Sequence, residues 1–436
     1  MTPAQRGPSA GGLTRVGAGI DRAWRAIGLD PHGYAQRQPE KAERLAIWLL
    51  GLGQTIGYAG IYYIFAALLL AWDAALPWGK SWLTFAFMCA ILTGAAVSPL
   101  AGRWVDLGRG RWLLGGGMAL GAGALLLLGT AQSYAVFLLA WLVLGAAQGA
   151  SLYEPCFAFV TRTTGARARR NITLITLVAG FASSLAYPSG AFLAESVGWR
   201  AAVWIFAGVV GLIGAPALHA GATMLECCPV VPRGAEARAP DEAAYRAARA
   251  RPEFWLIFAA FPLFGFTGGM VIAHVIPILT GAGLSLPQAV LAASLFGPMQ
   301  VAGRLTTMLL GHRVRPLTVT AVSFSGLVCA VLVLLVVVPR VPMAAYLFAL
   351  LFGASYGLVS ILKPVVTVEV LGPRGYGRIA GVMAVPFLVA MAIAPQVGSV
   401  IWRLGGYDLA LSAGLAAAAL ALAALLVLIG RVRRGR

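Results

Sequence analysis

Long apolar runs alternate with short polar joints along almost the whole of this chain, and each run has about the 20 residues that a helix needs to cross a roughly 30 Å hydrocarbon core. They read Leu45 to Trp72, Trp82 to Leu100, Trp112 to Ala131, Tyr134 to Val160, Asn171 to Leu193 and Ala201 to Ala222. After a polar stretch from Glu226 to Arg251, which carries Pro232 and Pro240, six more follow: Phe254 to Leu279, Leu286 to Leu310, Leu317 to Val338, Met343 to Val368, Ile379 to Leu404 and Leu409 to Ile429. The pattern predicts an all-α membrane protein of twelve transmembrane helices in two sixes. Its expected parts are a leader over residues 1–44, a first half over 45–222, a central loop over 223–253, a second half over 254–429 and a basic tail over 430–436. The leader is polar and reads as no cleavable signal peptide. In it Leu13, Val16, Ile20, Trp24 and Ile27 recur at helical spacing among Arg15, Arg22 and Arg25, which suits either a surface helix or a flexible tail.

Composition agrees with a bilayer environment. The 436 residues are 60% hydrophobic and only 11% charged, with a mean hydropathy of +0.83, which excludes a soluble globule. A net charge of +18 would suggest nucleic acid in a soluble protein, but its placement says otherwise. The joints after every second run, with both ends of the chain, hold nearly all the Lys and Arg. The other face has only Lys80, Arg200, Arg340 and Arg403, while Arg304 and Lys363 fall inside spans. The charge is therefore an orientation signal that sets both termini on the cytoplasmic side of a plasma or inner membrane. Five cysteines lack metal-ligand spacing and read as packing residues.

A shift of about 209 residues lays the second half on the first, as parallel repeats would. Leu45 falls on Phe254, Glu154-Pro155 on Lys363-Pro364, and Pro188 within two residues of Pro395. The joint between the second and third runs, Gly102 to Arg111, has the form Gly, three residues, Asp, then a basic tail. It resembles the loop between helices 2 and 3 of the major facilitator superfamily of secondary transporters. Gly102, Asp106 and Arg111 fit that pattern, whereas Leu107, Arg109 and Gly110 do not. The resemblance implies a twelve-helix fold working by alternating access. It also implies a gating role for this loop, with Asp106 near the start of span 11 around Arg378 and Ile379.

Ionisable residues inside spans are costly and mark pathways. Glu154, Arg304 and Lys363 each sit about six residues from the cytoplasmic end of their span, roughly 9 Å at the helical rise. Glu154 and Lys363, at equivalent repeat positions, would face each other across the central axis and pair at the inner mouth; Lys363 would alternatively bind substrate. Arg304 has Gln300 one turn back on the same face, and a guanidinium beside an amide suits a carboxylate. Here the chain resembles the monocarboxylate porter and oxalate/formate branch, whose helix 8 arginine holds the substrate anion. Arg304 would instead hold only the fold if it paired with Glu154 or with backbone carbonyls. Gln54, Tyr58 and Tyr62 form a polar stripe on span 1 that would line a cavity or pack between helices. His274 is a candidate proton relay, or a hydrogen-bonded interfacial residue.

The reading is a secondary transporter of a small, monocarboxylate-like organic anion, by symport, antiport or exchange. Protons and membrane lipids are its other expected partners, and no cofactor, metal or nucleic acid is expected. Proton-coupled drug or cation export is the alternative, with Glu154 as its acidic residue. A membrane enzyme would need a nucleophile with its base or a metal-ligand cluster, and neither is visible.

Overall fold

The computed structural model describes residues 38–227, 242–310, 314–372 and 376–434. The leader helix expectation and residues 228–241 of the central loop lie outside these residues, as do the side chains of Asp106 and Arg378. Twelve crossings follow one another. In the first half they are α1 (Pro39–Ala75), α2 (Lys80–Asp106), α3 (Gly110–Gly129), α4 (Tyr134–Thr164), α5 (168–197) and α6 (199–227). In the second they are α7 (Pro252–Gly281), α8 (286–310), α9 (Pro316–Val337), α10 (Ala344–Leu371), α11 (376–404) and α12 (407–434). Nine continuous helices among the described residues are long and apolar enough to span a membrane. Two of these fold back on themselves, at Gly198 (φ 82°) and at Gly405 and Gly406 (φ 70° at the latter), so each makes two crossings. Both turns need the left-handed backbone that glycine adopts without a Cβ penalty. α8, interrupted at Leu295, completes the set.

Each half is built on its own core. Phe65, Trp72, Phe87, Phe137 and Trp141 interlock in the first, and Phe261, Phe264, Phe296, Phe324, Phe348 and Phe352 in the second. Small residues set the closest helix approaches, since lipid tails offer no hydrophobic drive to bring helices together. A Cβ on Gly145 of α4 would stand 2.0 Å from the Ala90 carbonyl oxygen of α2. The same device recurs in the second half, where a Cβ on Gly303 of α8 would stand 2.6 Å from the Ala354 carbonyl of α10. Because Gly94 of α2, which packs on Gly145 and Gly149, is the repeat equivalent of Gly303, the duplication seen in the sequence extends to how the helices touch.

The halves meet firmly at the face opposite the basic loops. There the Lys80 ammonium bonds Asp73 at 3.4 Å and lies 4.2 Å over the Trp402 ring. Below it Ser81 meets Ser399 at 3.3 Å and Thr84 donates to Gln396 at 2.8 Å, joining α2 to α11. Toward the basic face Glu154 is exposed and Lys363 only half-buried. No ion pair within 4 Å joins these two residues.

Candidate functional site

Proline removes an N–H from a helix and leaves the carbonyl four residues back without its partner, and in a bilayer such a carbonyl must be satisfied from elsewhere. α4 and α8 break for this reason, α10 breaks without such a proline, and side chains of neighbouring helices fill the gaps. Pro155 orphans the Ser151 carbonyl, α4 breaks at Leu152, and Gln54 of α1 donates its amide to that carbonyl at 2.7 Å. In return Gln148 of α4 donates at 2.7 Å to the Ile61 carbonyl of α1. Pro298 orphans the Ser294 carbonyl in α8, and Ser184 of α5 donates to it at 2.7 Å across the two halves. In α10 the Ile361 N–H turns to Leu358, leaving the Gly357 carbonyl open.

Arg304 fills that last gap. Its Nε donates to Gly357 at 2.9 Å and its Nη1 donates to the Thr176 carbonyl of α5, so one guanidinium ties α8 to α10 and to the opposite half. It is buried, and no carboxylate lies within 4 Å of it among the described residues. The two bonds use two of its five N–H groups. Gln300, also buried, packs on Gly357 of α10, where an added Cβ would stand 2.7 Å from it.

α1 contributes an aromatic fan. Over Tyr58–Tyr63 it widens into a π-helical turn, a feature frequent at functional sites. Tyr58, Tyr62 and Tyr63 then all touch, with ring centroids 5.8 Å apart for Tyr58 and Tyr62, 6.4 Å for Tyr58 and Tyr63, and 5.1 Å for Tyr62 and Tyr63. Tyr153 of α4 lies 4.4 Å from Tyr58. These four rings are half-buried, so they border open space. Behind Tyr63, at 5.9 Å, stands Tyr187 of α5, whose hydroxyl is buried without a partner, as is that of Ser183 one turn away.

The other expected residues lie around this centre or apart from it. The Lys363 ammonium sits 4.3 Å over the Phe387 ring, and the exposed Glu154 is near enough for its charge to act on it, without a bond within 4 Å. His274 is buried at the far end, 2.9 Å from the Pro395 carbonyl and 3.4 Å from the Tyr407 hydroxyl, next to the Lys80 contacts. Arg111 pairs with Glu226 of its own half at 3.5 Å. A Cβ added to Gly102 would meet nothing within 4 Å. Tyr63, Tyr153, Thr176 and Gly357 were not anticipated. Tyr63 falls off the Gln54-Tyr58-Tyr62 stripe at α-helical spacing, and only the wide turn returns it to that face. The prolines at 155 and 298 were a usable signal for the donated carbonyls.

A family model described as Major Facilitator Superfamily matches residues 50–395. No curated protein matches the chain by sequence. Among solved structures, the chain is similar to a bacterial homologue of the human lysosomal transporter Spinster, seen inward-facing and unoccupied. The TM-score is 0.60 at 14% identity, over 89% of this chain and 95% of that one.

Proposed function

The chain belongs to the Major Facilitator Superfamily, and from this premise we propose that it carries a small organic anion, held by Arg304 and Gln300, between its two six-helix halves. It is an integral membrane transporter of a small molecule rather than an enzyme. Arg304 does pair with backbone carbonyls, the arrangement expected of a residue that holds the fold; what supports an anion is that these two bonds leave three of its five N–H groups over and that no carboxylate lies within 4 Å of it among the described residues. A buried charge without an opposite charge is costly, and a carboxylate arriving in the cleft removes that cost. Lys363 adds a second positive charge on the way in, against the single carboxylate of Glu154. With the basic loops set in the cytoplasm, rocking of the halves would break the Lys80 and Thr84 contacts and open the other face.

A planar fork grips a carboxylate through two charge-assisted bonds that an ammonium does not reproduce. Arg304→Lys should therefore weaken anion binding by roughly 30-fold or more, since loss of such a contact typically costs about 2 kcal/mol upward. Calorimetric titration of purified wild type and Arg304→Lys with a panel of carboxylates, beside their melting curves, tests this. Unchanged affinity in a stably folded variant removes Arg304 from the binding role. The second reading, proton-coupled export of a cation or drug, is favoured by one observation, the exposure of Glu154. It predicts binding of amines that Glu154→Gln abolishes.

A further inference from the structure

We infer that the anion carried has a planar, unsaturated ring, seated against Tyr58, Tyr62, Tyr63 and Tyr153 while its carboxylate lies at Arg304 and Gln300. This rests on the organic-anion reading and narrows it to aromatic carboxylates. The wide turn of α1 brings three tyrosines into one fan, and Tyr153 extends it from α4. The rings stand 4.4 to 6.4 Å from one another in edge-to-face or tilted poses. An incoming ring can join such an array by the same edge and face contacts.

The fan is joined to α8 through Tyr187, whose ring lies 5.9 Å from Tyr63 and 6.4 Å from Phe296, one turn before Gln300. A carboxylate bound at Arg304 and Gln300 places whatever it is attached to toward the half-buried aromatic rings. The polarity also fits. Tyrosine faces repel anions while their ring edges and hydroxyls attract them, so the charge belongs at the guanidinium and the uncharged ring among the tyrosines. Behind the fan the hydroxyls of Ser183 and Tyr187 are buried without a protein partner, leaving polar groups in reserve at this centre.

The test is calorimetric titration of the full-length protein in detergent with matched pairs: benzoate against cyclohexanecarboxylate, and 2-naphthoate against decalin-2-carboxylate, with benzylamine as the cationic control. The aromatic member of each pair should bind about ten-fold tighter or more than its saturated partner. Tyr62→Leu should erase most of that preference, and Tyr62→Phe should keep it, which separates loss of a ring from loss of fold. Equal affinity within both pairs overturns the ring inference and leaves the anion reading standing. Binding of benzylamine with no carboxylate bound overturns both, and so does failure of every probe to bind. A preference that survives Tyr62→Leu and also Tyr58→Leu removes the fan as its source.

Discussion

Gln54 and Pro155 show how single residues hold this fold. The proline leaves the Ser151 carbonyl without its helical donor, and the amide of Gln54 supplies one at 2.7 Å. Replacing Gln54 with Leu should destabilise by about 1–3 kcal/mol, the cost of a buried acceptor left unsatisfied. Pro155→Ala should lessen that cost, because residue 155 regains an N–H for the same carbonyl. A double-mutant cycle on melting temperatures checks it; additive effects would show that the two residues do not share the carbonyl. Sequence reading left the Gln54, Tyr58 and Tyr62 stripe either lining a cavity or packing between helices, since period alone does not tell a donor to a backbone gap from a donor to a ligand. Arg304 poses the same problem. Its depth in span 8 was legible, but its carbonyl partners on α5 and α10 arise from breaks in other helices that no local pattern around Arg304 records.

At the scale of elements, the apolar runs announced all twelve crossings because length and hydropathy are dictated by bilayer thickness. The breaks within them were less visible. Pro155 and Pro364 pointed to kinks, yet the wide turn of α1 carries no proline and depends on packing against α4 and α5. Helix contacts through glycine yield a sharper test. Gly145→Ala should force α2 and α4 apart, because the added methyl meets the backbone of Ala90 and cannot be accommodated by a side-chain rotation. It should cost about 1–3 kcal/mol. Gly116→Ala in α3 meets nothing within 4 Å and should leave the melting temperature unchanged or slightly raised. If both variants melt alike, the close approach of α2 and α4 is not rigid.

At the scale of the molecule, the halves are sealed together at the face opposite the basic loops. Lys80→Met removes the contacts to Asp73 and Trp402 and should shift the population toward the form open on the Lys80 side. A cysteine at Met391, beneath the seal, should then react faster with an impermeant thiol reagent applied from that side, in a protein freed of its native cysteines. An unchanged rate would mean that the Thr84–Gln396 and Ser81–Ser399 contacts suffice. For the inner mouth, exchanging Glu154 and Lys363 should restore part of the transport lost in either single neutralisation if the two charges act as a pair. A swap no better than the worse single variant assigns Lys363 to the substrate instead. The reciprocal bonds of Gln54 and Gln148 have one more consequence. They lock α1 to α4, so the four tyrosines travel as one body with the first half, while Arg304 and Gln300 belong to the second. A ring-bearing anion therefore has its two ends in separate jaws. Its amide analogue, keeping the ring but lacking the charge, should lodge in the first jaw without drawing the second closed, acting as a plug that competes for the seat and is itself never carried.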